Sequence, residues 1–122
     1  MPFGRRYKAA RDRGRRAVRK YFLQSAASAR LEDIYRHTIK QFGPVQADTY
    51  LHGIFALFDD IAEKRVTWQR IPGEFGVDGY FTRYKSHFVF WKLRSDGQIA
   101  IVAVLHQRMD LARRLREDVS EQ

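Results

Sequence analysis

The chain has 122 residues, no cysteine, 44% apolar residues and a formal net charge of +9. A chain of this size can bury roughly two thirds of the surface its unfolded form exposes, enough for one core in one domain, and the lack of cysteine excludes disulfides and thiolate metal sites. No apolar run approaches the roughly 20 residues of a membrane helix, and the basic N-terminus leads into no apolar signal segment, so a soluble, cytoplasmic protein with no membrane partner is expected.

The charge is unevenly placed. Residues 1–20 carry nine basic side chains, from Arg5 to Lys20, against Asp12 alone, while the other 102 residues hold 14 basic and 13 acidic groups. The folded part is therefore nearly neutral, and the whole-chain charge is poor evidence that it binds nucleic acid. Residues 1–16 are Arg-rich, interrupted by Gly4 and Gly14, and too poor in apolar residues for a packed face. They are expected to form a mobile basic arm. Its cations could make non-specific, salt-sensitive contacts with nucleic-acid phosphates; the plainer alternative is a solvated tail.

A domain is expected over 17–116, with 117–122 as a C-terminal tail. Val18, Tyr21, Phe22 and Leu23 predict a short first strand. Leu31, Ile34, Tyr35, Ile39 and Phe42 then recur on a 3.6-residue period, which predicts a helix that Ser28 can cap and that Gly43 and Pro44 stop. Pro44 suits the first turn of a second helix, whose stripe is Ala47, Leu51, Ile54, Phe58 and Ile61. Only a Gly-Pro turn separates the two, so they should form an antiparallel hairpin. Gly53 inside the second helix costs about 1 kcal/mol relative to alanine, which points to a close helix crossing there.

Residues 64–78 read as a loop, broken by Pro72, Gly73 and Gly76. Three strands follow: one begun by Tyr80 to Tyr84, one over Phe88 to Leu93, and, beyond the Ser95-Asp96-Gly97 turn, one from Gln98 to His106. In the last, Ile99, Ile101, Ala103 and Leu105 are expected on one face and Ala100, Val102 and Val104 on the other. Apolar residues on both faces make this a central strand. A short basic helix should start at Leu111. The fold class is thus α+β, in the order β-α-α-β-β-β, with the helical hairpin on one face of a four-stranded, mainly antiparallel sheet. The sheet carries Tyr80, Phe81, Tyr84, Phe88, Phe90 and Trp91, more rings than one covered face accommodates. An aromatic patch on the open face is expected to bind a protein.

The motifs of common chemistries are missing. His37, His52, His87 and His106 lack the spacing of a zinc site, and there is no phosphate-binding Gly-rich loop, nucleophile elbow or dinucleotide fingerprint. Neither a metal nor another cofactor is expected. His87 begins one strand and His106 ends its expected neighbour, with Arg83 and Arg108 nearby. Imidazoles that move protons and guanidiniums that stabilise a charged phosphate could cleave RNA. The competing structural reading has His87 orienting a turn and Arg108 paired with Asp110.

Several words of the chain, in this order, resemble the ParE branch of the ParE/RelE toxin superfamily from about Tyr21 to Leu115. They are Ala29-Arg30-Leu31-Glu32-Asp33-Ile34-Tyr35, Phe42-Gly43, Gln46-Ala47-Asp48-Thr49-Tyr50, Tyr84 to Trp91, Ile99 to Val102, and Leu105-His106-Gln107-Arg108-Met109-Asp110. The resemblance implies the same fold and the toxin half of a plasmid-stabilisation toxin-antitoxin system. Such toxins inhibit DNA gyrase by protein-protein binding and stabilise its cleaved DNA complex. A ParD-like antitoxin neutralises them in a hetero-oligomer, wrapping the toxin with an extended and helical segment. The surface expected to bind a partner comprises Arg83, Tyr84, Lys85, His87, His106, Arg108, Met109 and Asp110. Catalytic residues are not expected. The alternative within the superfamily is a RelE-type messenger-RNA endonuclease, which commonly uses a C-terminal tyrosine, whereas no tyrosine follows Tyr84 here. A third reading is a non-toxic interaction domain tethered to nucleic acid by its arm.

Overall fold

The computed structural model describes residues 21–120. The expected arm at 1–16, Val18 and the end of the tail at 121–122 lie outside the described residues. Strand β1 (Tyr21–Leu23) leads into helix α1 (Ser25–Phe42) and helix α2 (Pro44–Ala62). Strand β2 (Gln69–Arg70), a 3-10 turn (Gly73–Phe75), and strands β3 (Tyr80–Tyr84), β4 (His87–Leu93) and β5 (Ile99–His106) follow, and helix α3 (Leu111–Ser120) closes the described chain.

Helix α1 begins one turn earlier than a Ser28 cap would place it. Gln24 is extended, its N–H donates to the Ile101 carbonyl at 3.0 Å, and its own carbonyl accepts the Ser28 N–H at 3.0 Å. The β1–β5 ladder therefore runs directly into the helix. Ala26 and Ala27 are buried in the first turn, where alanine costs no side-chain entropy. Leu31, Ile34 and Tyr35 are buried as their period predicts, but Phe42 is 64% exposed beyond the packed layer. Gly43, at φ 90°, ends α1 by donating to the Ile39 carbonyl at 2.8 Å, and Pro44 opens α2. The whole predicted stripe of α2, from Ala47 to Ile61, is buried.

The sheet has five strands, in the order β1-β5-β4-β3-β2, rather than four. β1 pairs parallel with β5 and every other pair is antiparallel. The additional strand lies in the segment read as a loop: Gln69 pairs with Phe81 and Arg70 with Tyr80. Two exposed residues beside Pro72 and Gly73 are too few to show a period.

The central position of β5 is as predicted, but its faces are not. Phe90 lies opposite Ala103 while Trp91 lies opposite Ile101, so Val102 is an extra residue in a β-bulge. Ile99, Ile101 and Val104 consequently join the core under the helical hairpin, whereas Ala100, Val102, Ala103 and Leu105 join the opposite core. One bulge reverses the alternation for the remainder of the strand.

That opposite face is covered, contrary to the expectation of an open aromatic side. Helix α3 and the 3-10 turn pack over Phe90, Leu105 and Ile71, with Leu115 buried among them. Trp91 is buried under the hairpin with Tyr80 stacked beside it and Tyr84 half-buried against the same core, while Phe81 and Phe88 are half-buried against the second core. Asp118 of α3, 2% exposed, takes two hydrogen bonds of 3.0 Å from the Arg30 guanidinium of α1. This ion pair joins the two helical layers, and α3 runs unbroken across the expected tail boundary at 116.

Candidate functional site

The eight residues expected to bind a partner come together at one end of the sheet. His87 lies opposite Tyr84 across the tight β3–β4 turn and opposite His106 on β5. The turn that carries Lys85 and Ser86 is tied to the segment after β5 by the Gln107 N–H, which donates to the Ser86 carbonyl at 2.8 Å. Lys85 has a φ of 51°, a conformation that costs a residue with a Cβ roughly 1 kcal/mol.

Neighbouring groups hold the side chains of this tip. Arg83 donates from Nε to the Lys85 carbonyl at 2.7 Å and from Nη2 to Gln107 Oε1 at 2.6 Å. The Lys85 ammonium lies 5.5 Å from the Tyr84 ring and 5.7 Å from the Tyr50 ring. His106 Nδ1 accepts the Arg108 backbone N–H at 3.1 Å, and the His106 carbonyl accepts the Met109 N–H at 3.0 Å. Met109 is 37% exposed. The predicted Arg108–Asp110 pair is not formed. Asp110 instead serves the start of α3, accepting the Arg113 N–H at 3.4 Å and lying 3.7 Å from the Arg113 guanidinium. A carboxylate before a helix serves the unpaired N–H groups of its first turn.

Two contributors from α2 were not among the expected site residues. The Tyr50 hydroxyl lies 2.7 Å from His87 Nδ1. No local pattern pairs a helix tyrosine with a strand histidine 37 residues on. Gly53 does mark a close approach, but to a strand rather than a helix: a Cβ at this position would overlap the Tyr84 hydroxyl. Its missing side chain lets the β3–β4 turn settle against α2.

The electrostatics keep this cluster neutral beneath its cations. Burial, then the nearby His106 and His37, lowers the His87 pKa to about 4. Burial raises the Tyr50 pKa, with Tyr84 adding to it and the Ser86 backbone N–H opposing, and burial raises that of Tyr84. At neutral pH the two phenols are protonated and His87 is uncharged.

The two imidazoles stand 5.1 Å apart and nearly perpendicular, so the predicted pair is real. Its bonding suits support rather than proton transfer. The Arg108 N–H occupies His106 Nδ1, which places the ring proton on Nε2. The Tyr50 hydroxyl is hydrogen-bonded to His87 Nδ1. Both Nδ1 atoms are thereby engaged, and a base with a pKa near 4 is poorly matched to work at neutral pH. Among the described residues no group of three or more His, Cys, Asp or Glu could hold a metal, and no helix is long and apolar enough to cross a membrane.

Residues 21–111 match the family model described as "ParE toxin of type II toxin-antitoxin system, parDE". The chain is 34% identical over 100 residues to Toxin ParE1 of two Mycobacterium tuberculosis strains, CDC 1551 / Oshkosh and ATCC 25618 / H37Rv, covering 79% of this chain and 97% of each relative. It is 30% identical over 97 residues to Toxin ParE of Escherichia coli, covering 80% of this chain and 93% of that protein. With the α+β architecture, the β1–α1–α2 opening and the sheet-end motifs in place, this chain belongs to the ParE toxin family and is the toxin component of a toxin-antitoxin pair, which implies a cognate antitoxin as its partner.

Proposed function

We propose that the protein acts by binding, inhibiting DNA gyrase through the sheet end formed by Arg83, Tyr84, Lys85, His87, His106, Arg108, Met109 and Asp110, and that a ParD-like antitoxin neutralises it. The observation that carries this reading is the assembly of two turns, from distant parts of the chain, into one supported tip with exposed Arg83, Lys85, Arg108 and Met109. Arginine, aromatic residues and methionine are enriched at protein interfaces. Gyrase performs the DNA chemistry, and the toxin need only present a shaped surface that stabilises the cleaved complex.

One observation favours the RelE-type alternative: two histidines stand in contact between Arg83 and Arg108. Their engaged Nδ1 atoms and the low pKa of His87 weigh against it. Purified toxin added to a gyrase supercoiling assay is expected to inhibit supercoiling and accumulate cleaved DNA. The same protein in a translation extract is expected to leave messenger RNA uncut. Cut messages with normal supercoiling would reverse the assignment. Deleting residues 1–16 is expected to leave gyrase inhibition intact, whereas a nucleic-acid tether would lose its salt-dependent DNA affinity.

A further inference from the structure

We infer that Arg83, Lys85 and Arg108 form a receptor for an acidic segment of the toxin's protein target, with Arg108 as its anchor. This inference rests on the reading of the sheet end as the target-binding surface and adds the chemistry of what it binds. Among the described residues no carboxylate pairs with any of the three cations. The nearest acid in sequence, Asp110, is occupied by Arg113 and the first turn of α3. At the other end of the same sheet the arrangement differs, because Arg94 has Asp96 at 3.6 Å across its own turn.

The three cations are also prepared to different degrees. Arg83 is fixed by neutral oxygens of Lys85 and Gln107, which orient its guanidinium without cancelling its charge. Lys85 is steered by the rings of Tyr50 and Tyr84. The Arg108 guanidinium has no hydrogen bond or ion pair among the described residues, while its backbone is pinned through His106 Nδ1. A partner carboxylate can thus take Arg108 with two parallel hydrogen bonds, flanked by two charges already in position. Ordering beforehand reduces the entropy lost on binding.

Nucleic acid fits this patch less well than protein. Outside residues 1–20 basic and acidic groups are balanced at 14 and 13, so the rest of the folded part adds little net positive charge to these three cations. Three cations neutralise about three phosphates, a weak and salt-sensitive attraction. The exposed Met109 and the half-buried Tyr84 and Tyr50 beside them provide the apolar contact of a protein interface.

The test has a binding arm and a cellular arm, both with the full chain. Isotope-labelled protein is titrated with a short Glu-rich peptide and, separately, with a single-stranded DNA oligomer of equal charge, and backbone amide shifts are followed at Arg83, Lys85 and Arg108. Because residues 1–20 attract any polyanion, the informative quantity is the local shift that R108E removes. The peptide is expected to move these amides, R108E to abolish the movement, and R108K to retain part of it. In cells lacking the antitoxin, R108E is expected to weaken growth arrest at least about tenfold, with R108K intermediate. An unchanged far-UV spectrum and urea midpoint would show that R108E still folds.

Full growth arrest by folded R108E would overturn the inference, as would local shifts produced by DNA and not by peptide. If wild-type protein leaves gyrase supercoiling untouched but R108E still loses growth arrest, the gyrase assignment fails and the acidic receptor stands.

Discussion

The two faces of the sheet are covered by different means. On one, α1 and α2 lay long apolar stripes over Val89, Trp91, Ile99 and Ile101, and each helix would keep its register through several turns of packing. On the other, the ten-residue α3 contributes Leu115 as its buried apolar residue, with Leu111 and Val119 half-buried, and is tied to α1 by Arg30 and Asp118. The first layer is held by area, whereas the second combines a smaller core with the Arg30–Asp118 ion pair. The sheet-end tip lies where they meet: Tyr50 and Gly53 support it from the hairpin layer, and the chain from His106 to Asp110 leads from it into α3. A loss on either face should therefore reach the tip by a different route.

The largest effect is expected at Leu115. Leu115→Ala empties the centre of the smaller core and should cost about 3 kcal/mol, read as a lowered urea midpoint. A variant that kept its midpoint would mean that α3 adds little to this face. Asp118→Ala comes next, at about 2 to 3 kcal/mol, because it removes the buried carboxylate that takes two charge-assisted hydrogen bonds from Arg30. Replacing Arg30 and Asp118 together with Met and Leu should recover much of that loss, since a well-packed apolar pair avoids the desolvation of two ions. A double replacement as unstable as Asp118→Ala would show that the pair does more than join the layers.

This contrast also explains what could be read in the sequence. The hairpin layer was legible because Ala47, Leu51, Ile54, Phe58 and Ile61 repeat over four turns and all are buried. The second layer was legible only as a short basic helix from Leu111: its narrow stripe of Leu111, Leu115 and Val119 among five charged residues gave no sign that it packs on the sheet. The alternation of β5 was sound up to Val102, where the bulge moved Ala103 and Leu105 to the face opposite the predicted one. Nothing in an unbroken run of aliphatic residues marks the inserted one. The tip was largely legible, since adjacent strands place His87 opposite His106 whatever the helices do. Its supports were hidden because Tyr50 and Gly53 act across long sequence separations.

Gly53 provides a smaller perturbation confined to the hairpin side. Gly53→Ala gains about 1 kcal/mol in helix propensity. Against this gain, the new methyl would overlap the Tyr84 hydroxyl, and a rigid ring whose other side faces Tyr50 has little room to withdraw. We expect a net loss of about 1 to 2 kcal/mol, with amide shifts concentrated at Tyr84, Lys85 and Ser86. Combining it with Tyr84→Ala should remove the clash, so that the two changes are strongly non-additive. Additive losses in a double-mutant cycle would mean that Gly53 does not position this turn.

The smallest expected effect is a pH dependence that belongs to the tip alone. His87 faces Tyr50 of α2, His106 of β5, His37 of α1 and the Tyr84–Lys85 turn. Its pKa falls from 6.5 to about 4 on folding, so between these values the unfolded chain binds more protons than the folded one. Stability from this group is complete above about pH 6.5, declines as pH falls toward 4, and changes little below that. The full shift corresponds to about 3 kcal/mol, and partial exposure of the ring reduces the expected contribution to on the order of 1 kcal/mol. Carboxylates also titrate near the bottom of this window, so the measurement is a difference: urea midpoints of wild type and His87→Asn at pH 4.5 and 7.5. The variant cannot take up the proton and should lose less stability between the two pH values than wild type. Equal losses would mean that His87 accepts its proton at little cost, and that the tip beneath Lys85 is wetter and less tightly supported than its contacts with Tyr50 require.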